Sequence, residues 1–160
     1  MSEPTSVLFV CLGNICRSPL AEGVLRHLVQ ERGLGDRFEI DSAGTGDWHM
    51  GQPPDERSVQ VASAHGITLG GRARRVRRED LDHFDLVVAM DRENLRDLQR
   101  LADGSGPRAR LHLLSDFDPE ADHPDVPDPY YEDLSGFETL YRTVNRACES
   151  LLEQLAPPSD

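Results

Sequence analysis

The sequence has no long apolar run and a deficit of positive charge, and each shortage excludes a class of protein. No stretch approaches the ~20 apolar residues that span a bilayer, and residues 1–6 have neither the basic region nor the apolar core of a secretory signal. The 17 basic residues against 29 acidic ones give a net charge of −12, which disfavours binding to nucleic acid. We therefore expect a cytoplasmic protein with no membrane span and no nucleic-acid partner.

Cysteine is also scarce, and its distribution excludes two kinds of structural site. Only three cysteines are present, two of them within one short segment, so they form no framework of disulfides. There is no C-x-x-C pair, and the six histidines are scattered, so no zinc-site spacing exists. The nucleotide-binding motif G-x-x-x-x-G-K-[ST] is missing as well. We expect no metal and no cofactor.

Short apolar strands alternate with amphipathic helices along the 160 residues. The pattern predicts strands at residues 7–10, 38–40, 86–90 and 111–114, and helices at about 20–32, 55–65, 91–101 and 137–152. Such alternation is typical of βαβ units, so we expect a three-layer α/β/α fold with a four-stranded parallel sheet. We expect one domain over residues 1–156 and a frayed tail at residues 157–160.

The segment from Cys11 to Pro19 reads C-L-G-N-I-C-R-S-P and directly follows the first predicted strand. A junction between a strand and a helix can direct backbone N–H groups and a helix N-terminus at a bound phosphate. Gly13 and Asn14 tolerate the left-handed backbone that a tight loop needs. Arg17 offers a planar fork that grips two phosphate oxygens. Because these surroundings favour a thiolate, Cys11 is the candidate nucleophile.

Asp128 is the candidate proton donor, since attack of a thiolate on phosphorus expels an oxyanion that needs a proton. It stands in Asp128-Pro-Tyr-Tyr131, within a stretch from Asp116 to Asp133 that has eight carboxylates and no lysine or arginine. Nearby like charges and a bound phosphate dianion both favour a protonated carboxyl group. A general acid contributes ~100- to 10,000-fold to a rate. The alternative is that Asp128 only forms the turn before Pro129.

Together these motifs closely resemble the low-molecular-weight protein tyrosine phosphatases, and the resemblance extends over essentially the whole chain. It also includes Asp41-Ser-Ala-Gly-Thr, Gly51-Gln-Pro-Pro-Asp55, His65-Gly-Ile, Phe84-Asp85, Met90-Asp91 and Asn94-Leu-Arg-Asp-Leu. The resemblance implies a single phosphatase domain whose phosphatase loop lies at the carboxyl end of the first strand. It implies hydrolysis of phosphotyrosine in proteins, and of small aryl phosphates, through a phosphocysteine. It further implies a phosphotyrosine-containing protein as partner, a tyrosine kinase among the candidates, and a monomer with weak self-association.

The resemblance assigns a role to each residue of the expected site. Cys11 would be the nucleophile, Arg17 would bind the phosphoryl group, and Asp128 would be the acid and then the base that activates water. The phosphate- and substrate-binding positions would be Leu12, Gly13, Asn14, Ile15, Cys16, Ser18, Trp48, Tyr130 and Tyr131, with Ser42 and Asp91 in support. In many eukaryotic members a histidine that supports the loop asparagine stands where this chain has Gly70-Gly71. We therefore expect Asn14 to rely on Ser42 and water.

Three features have two interpretations each. Cys16 is either a small core residue or a thiol that forms a reversible disulfide with Cys11. The arginine-rich segment 72–78 is either a solvated face or a docking patch for an acidic partner. Asp91 caps a helix, serves the active site, or does both.

Three other functions compete with a phosphotyrosine phosphatase. A protein arginine phosphatase of the same fold typically has threonine where this chain has Ile15. A thiol-dependent arsenate reductase needs further cysteines, and Cys148, alone on the apolar face of the last helix, does not supply a relay. A phosphate-binding module without catalysis would not need Cys11, Arg17 and Asp128 together.

Overall fold

The computed structural model describes residues 4–104 and 106–156, which contain four strands, five α-helices and two short 3-10 helices. The strands are β1 (Thr5–Cys11), β2 (Phe38–Gly44), β3 (Leu86–Ala89) and β4 (Arg110–Leu113). The helices are α1 (Arg17–Glu31), α2 (Glu56–Ala64), α3 (Arg78–His83), α4 (Arg92–Ala102) and α5 (Leu134–Leu155). The frayed tail expected at residues 157–160 lies outside the described residues.

The four strands form one parallel sheet in the order β2-β1-β3-β4, which places β1 inside the sheet. Val10 of β1 is in register with Ala43 of β2 and with Ala89 of β3. Because all the strands run the same way, the loops that follow β1, β2 and β3 meet at one edge. Ligands of open α/β sheets bind at this carboxyl edge.

Side chains of β1 alternate between two apolar layers, and this alternation produces three layers of structure. Val7 and Phe9 pack against α1 and α5, whereas Leu8 and Val10 pack against α3 and α4. All four side chains are fully buried. The three-layer α/β/α fold predicted from the sequence is therefore confirmed.

Helix α1 starts directly beneath the loop that follows β1. Its first residue is Arg17, and the N-cap residue, Cys16, makes no side-chain hydrogen bond to the first turn. Pro19 fits in this first turn because no N–H donor is needed there. The first turn of α1 therefore presents backbone N–H groups and partial positive charge at the carboxyl edge of the sheet.

Helix α5 is the longest helix, and it covers the sheet on the α1 side. Its buried stripe consists of Phe137, Leu140, Val144, Ala147, Cys148, Leu151 and Leu152. Cys148 is thus a core residue, as its place on the apolar stripe predicts. None of the helices in the described part of the chain is long and apolar enough to cross a membrane.

Candidate active site

Residues 11–18, here the Cys11 loop, connect β1 to α1, and their carbonyl groups are bonded from outside the loop. The donors come from the segment after β2 and from the start of α2. The carbonyls of Cys11 and Leu12 accept from the N–H groups of Thr45 and Gly46, that of Ile15 accepts from the N–H of Asp55, and that of Cys16 accepts from Ser58 Oγ, at 2.8–3.2 Å. With these carbonyls held outward, the N–H groups of the loop are available to its interior.

Cys11 lies at the end of β1 with its sulfur inside this loop. The residue is 2 % exposed, and its Sγ lies 3.0 Å from Ser18 Oγ. The backbone N–H of Asn14 donates to the same sulfur at 3.3 Å. A hydroxyl and a backbone N–H directed at one sulfur both stabilise a thiolate.

Asn14 orders the loop through all of its side-chain polar atoms. Its φ of 56° lies in the left-handed region, which asparagine tolerates better than most residues. Its Nδ2 donates to Ser18 Oγ at 2.8 Å and to Ser42 Oγ at 3.0 Å, and its Oδ1 accepts the backbone N–H of Arg74 at 3.0 Å. The expected contact with Ser42 is present, and the backbone of Arg74 binds the amide oxygen.

Gly13 and Asn14 both tolerate a left-handed backbone, and of the two only Asn14 adopts it. At Gly13 a Cβ atom would lie 2.9 Å from Cδ2 of His49, so the ring of His49 would have to shift to accommodate a side chain. Local turn chemistry does not indicate such a contact.

Arg17 connects the Cys11 loop to the loops that follow β3 and β4. Its side chain is 3 % exposed, and Nη1 donates to Asp91 Oδ2 at 2.7 Å and to the carbonyl of Val126 at 3.0 Å. Its Nη2 lies 3.5 Å from Asp128 Oδ2. Burial opposes the charge of Arg17, but Cys11 and the two carboxylates outweigh it and raise the pKa of the guanidinium. Arg17 is therefore a fixed cation beside the nucleophile.

Asp91 satisfies both interpretations that the sequence left open. It is the N-cap of α4, where Oδ1 accepts the N–H of Asn94 at 2.8 Å. Its other oxygen holds Arg17. One carboxylate therefore fixes both the start of a helix and the orientation of the buried guanidinium.

Asp128 lies in residues 126–133, here the Asp128 loop, at the rim of the site. Its side chain is 41 % exposed, and its Oδ1 accepts the backbone N–H of Tyr130 at 3.1 Å. The carboxyl group therefore forms the local turn that is the alternative role predicted for Asp128. Its other oxygen faces Arg17, a position from which it could also serve a bound substrate.

Aromatic and apolar side chains surround the mouth of the site. Leu12, Trp48, Tyr130 and Tyr131 are all exposed, Tyr131 almost completely. The Tyr130 and Tyr131 rings are perpendicular, with centroids 5.0 Å apart. Trp48 lies over Gly46, whose N–H binds the Leu12 carbonyl. This arrangement places Trp48 beside the start of the Cys11 loop.

Ile15 and Cys16 lie on the opposite side of the loop, where they are buried. Both pack with Val61, Ala73 and Phe137 in a small apolar cluster. Burial raises the pKa of the Cys16 thiol, and the nearby carboxylates of Asp55 and Asp128 act in the same direction. Cys16 is thus a protonated thiol at neutral pH, and the described cysteines are all free.

Three residues of the site were missed in the sequence. His49 lies against Gly13, and its ring centroid is 6.0 Å from that of Tyr130, so it forms part of the cleft wall. Arg57 lies beside Tyr130 at the start of α2. No sequence pattern indicates either contact, because both depend on loops brought together by the fold.

Glu22 is the third missed residue, and its spacing from Ser18 in the sequence could have identified it. It lies four positions after Ser18 on α1, so both side chains are on one helix face. Its Oε1 accepts a hydrogen bond from Ser42 Oγ at 2.6 Å. Burial raises the pKa of the Glu22 carboxyl, whereas the hydrogen bond from Ser42 and the charge of Arg26 oppose that change.

Comparisons with known proteins agree with this geometry. The family model described as "Low molecular weight phosphotyrosine protein phosphatase" matches residues 6–158. A relative of that name from Sus scrofa is 44 % identical over 151 residues, which cover 94 % of this chain and 95 % of the relative. The crystal structure of YfkJ from Bacillus subtilis has a TM-score of 0.90 at 41 % identity and covers 98 % of this chain and 99 % of that one. A crystal structure named as a Drosophila arginine phosphatase has a TM-score of 0.89 at 34 % identity and covers 96 % of this chain and 99 % of that one.

Proposed function

The chain belongs to the low molecular weight phosphotyrosine protein phosphatase family and is a protein tyrosine phosphatase, and we propose that it works through a phosphocysteine on Cys11. The substrate class is phosphoproteins, with phosphotyrosine as the hydrolysed group. Small aryl phosphates fit the same chemistry.

In this proposal the phosphoryl group of the substrate occupies the Cys11 loop. The loop N–H groups and the first turn of α1 bind its oxygens, and the Arg17 guanidinium neutralises its charge. Leu12, Gly13, Ile15, Cys16 and Ser18 contribute the backbone of this binding site. Trp48, His49, Tyr130 and Tyr131 enclose the ring that bears the phosphate.

Two chemical steps follow. The Cys11 thiolate attacks phosphorus while the bond to the tyrosine oxygen breaks, and Asp128 gives its proton to that oxygen. Asp128, now a carboxylate, takes a proton from water as the water attacks the phosphocysteine. Inorganic phosphate leaves, and the thiolate and the protonated Asp128 are restored, so protons and electrons balance over the cycle.

One observation supports this mechanism most directly. Arg17 belongs to the Cys11 loop, and its Nη2 lies 3.5 Å from Asp128 Oδ2. Cys11 Sγ lies 3.0 Å from Ser18 Oγ and accepts a hydrogen bond from the Asn14 N–H at 3.3 Å. A nucleophile, a cation for the phosphate and a carboxyl group for the leaving oxygen thus lie around one point. We also propose that residues 1–156 form a single phosphatase domain. A cytoplasmic location and a monomeric state remain predictions.

A protein arginine phosphatase is the second candidate, because the Drosophila arginine phosphatase structure resembles this chain closely. The side chain at position 15 bears on the choice. Ile15 is buried with other apolar residues and has no hydroxyl to offer a guanidine-type leaving group. We therefore favour phosphotyrosine over phosphoarginine.

Turnover of three matched peptides tests the proposal. Phosphotyrosine, phosphoarginine and phosphoserine peptides of otherwise equal sequence are compared by phosphate release with wild type and with Cys11→Ser. We expect turnover of the phosphotyrosine peptide to exceed that of the other two by at least ~100-fold, and none with Cys11→Ser. Faster turnover of phosphoarginine would favour the second candidate, and activity that survives in Cys11→Ser would contradict both.

A further inference from the structure

We propose that Arg57 is the positioning residue that holds the Asp128 loop, residues 126–133, against the Cys11 loop and so sets the place of the general acid. The inference rests on the proposed role of Asp128 as that acid. Arg57 does not touch the reacting atoms in the structure, and its effect passes through the backbone of the Asp128 loop.

The side chain of Arg57 is anchored by an ion pair. Its Nε and Nη2 donate to the Asp55 carboxylate at 3.0 and 2.8 Å, a forked geometry that fixes the plane of the guanidinium. The backbone N–H of Asp55 in turn donates to the carbonyl of Ile15 at 2.8 Å. The guanidinium is therefore fastened to the Cys11 loop through a single residue.

Arg57 also binds the far end of the Asp128 loop. Its Nη1 donates to the carbonyl of Glu132 at 2.7 Å. The guanidinium carbon lies 5.7 Å from the ring centroid of Tyr130 and 4.5 Å from that of Phe137. The same cation thus binds the backbone at the far end of the Asp128 loop and lies beside an aromatic ring in its middle.

The near end of the Asp128 loop is held by a separate set of hydrogen bonds. The N–H of Val126 donates to the carbonyl of Met90 at 2.9 Å, and its carbonyl accepts from Arg17. Arg92 binds Asp125 through both side-chain and backbone donors. Val126 is therefore fixed by the sheet edge and by α4.

Asp128 lies between these two sets of anchors and is itself weakly held. Its hydrogen bond to the N–H of Tyr130 is local to the loop, and its approach to Arg17 at 3.5 Å is long. The hydrogen bond from Glu132 N–H to the Pro129 carbonyl is also local. Among the described residues, Arg57 supplies a hydrogen bond that ties the far half of the loop to the nucleophile side. It acts beside the contact of His49 with Tyr130 and the packing of Phe137 with Ile15 and Cys16.

The experiment compares two substrates that differ in their need for a proton. The leaving oxygen of phosphotyrosine needs protonation, whereas that of 2,4-dinitrophenyl phosphate does not, because its phenolate is a weak base. The values of kcat/KM are measured for wild type, Arg57→Met, Arg57→Lys, Asp128→Asn and Arg57→Met with Asp128→Asn. Methionine keeps an unbranched apolar side chain and removes the donors, and lysine keeps the charge but removes the fork.

We expect Arg57→Met to lower kcat/KM about tenfold for a phosphotyrosine peptide and less than twofold for dinitrophenyl phosphate. Arg57→Lys should likewise lower kcat/KM more for the phosphotyrosine peptide than for dinitrophenyl phosphate. In the Asp128→Asn background, Arg57→Met should cause no further loss, because the acid that it positions is gone. The control is Arg146→Met on α5, because Arg146 has a similarly exposed side chain and makes a forked ion pair with Asp118; it should leave the ratio of the two substrates unchanged.

An equal loss on both substrates, or a loss that adds to that of Asp128→Asn, would overturn the inference while leaving the proposed acid intact. If Asp128→Asn itself fails to distinguish the two substrates, the proposed acid is wrong, and the inference falls with it. The two failures are therefore distinguishable. The ratio of the substrates does not depend on the fraction of folded enzyme, so a variant of reduced stability still gives a result.

Discussion

The side-chain N–H groups of Asn14 donate to two neighbouring hydroxyl groups. These hydroxyls must then direct their own protons at other acceptors. Ser18 and Ser42 both accept from Asn14 Nδ2. The proton of Ser18 is then directed at the sulfur of Cys11, 3.0 Å away, or at the carbonyl of Ala43, 3.4 Å away, and that of Ser42 goes to Glu22. A carboxylate can only accept, so Glu22 fixes the direction of the chain of hydrogen bonds.

Glu22→Gln tests this direction at the residue scale. Glutamine can donate as well as accept, so we expect kcat on a phosphotyrosine peptide to fall ~3- to 10-fold, the effect of a hydrogen bond of ~1 kcal/mol.

Burial raises the pKa of Glu22 above the ordinary value of ~4.3, so the folded state binds this proton more tightly than the unfolded state does. The contribution of Glu22 to stability therefore falls as pH rises from ~4.3 through its folded-state pKa.

At pH 7 the ionised carboxylate of Glu22 is less favourable in the folded state than its protonated form would be, so a neutral replacement should not lower the melting temperature. Thermal unfolding and kcat are measured together at pH 7. Glu31→Gln is the control, because Glu31 lies on the same helix with its side chain 60 % exposed. A lower melting temperature with unchanged kcat would show that Glu22 has only a structural role.

At the scale of elements, the strands and the long helices were predictable because each has a local pattern. Val7 to Val10 and Leu86 to Ala89 are continuous apolar runs, and both are buried strands. Helix α3, in contrast, was not predicted. It has only six residues, and its first turn is held by a hydrogen bond from Arg77 N–H to Asp80, which gives no periodic signal.

The site was predictable to the extent that its residues lie in contiguous motifs. Cys11, Arg17 and Asp128 stand in such motifs, and the structure brings them to one edge of the sheet. His49 and Arg57 were missed because their partners are 36 and 75 positions away in sequence, at Gly13 and Glu132 respectively. Contacts over such separations follow from the fold and not from local chemistry.

Helix α5 is joined to the acidic segment by ion pairs of Arg146 with Asp118 and, at 3.7 Å, with Glu120, and Asp118→Asn tests the contribution of the shorter pair. Arg146 donates to both oxygens of Asp118 at 2.7 and 2.9 Å. These hydrogen bonds lower the pKa of Asp118, so the pair stabilises the fold above the ordinary value of ~3.9, and the stabilisation is lost as pH falls through the lower folded-state pKa. We expect Asp118→Asn to lower the melting temperature by about 4–8 °C at pH 7.

The pH dependence of this loss in melting temperature distinguishes the effect of the Asp118 charge from that of the side chain's shape. The difference in melting temperature between wild type and Asp118→Asn should narrow between pH 7 and pH 3. A deficit as large at pH 3 as at pH 7 would mean that the charge of Asp118 does not matter. The scans are run in one buffer series with the ionic strength held constant.

At the scale of the whole molecule, charge is distributed unevenly around the site. The chain has a net charge of −12, and the segment from Asp116 to Asp133 is wholly acidic among its charged residues. The arginines of residues 72–78 are largely compensated, since Arg74 binds Asp80 and Asp41 and Arg75 lies 3.8 Å from Asp47. The field at the mouth of the cleft is therefore expected to favour cationic peptides.

Two phosphotyrosine peptides that differ only in their flanks test this expectation. A peptide flanked by arginines should have a kcat/KM ~3- to 10-fold higher than one flanked by glutamates at low salt, with the difference lost at high salt because the charges are screened. A preference for the acidic peptide would instead favour a docking role for the arginines of residues 72–78. Both peptides are compared with dinitrophenyl phosphate as an uncharged-flank reference.

The central claim is that the phosphoryl group passes through Cys11, and a rapid denaturing quench tests it most directly. Enzyme is mixed with excess phosphotyrosine peptide, stopped within the first turnover, and examined by intact mass and peptide mapping. We predict one phosphoryl group on the peptide that contains Cys11, and none with Cys11→Ser. Phosphorylation of a different residue, or release of phosphate by Cys11→Ser at the wild-type rate, would contradict the account.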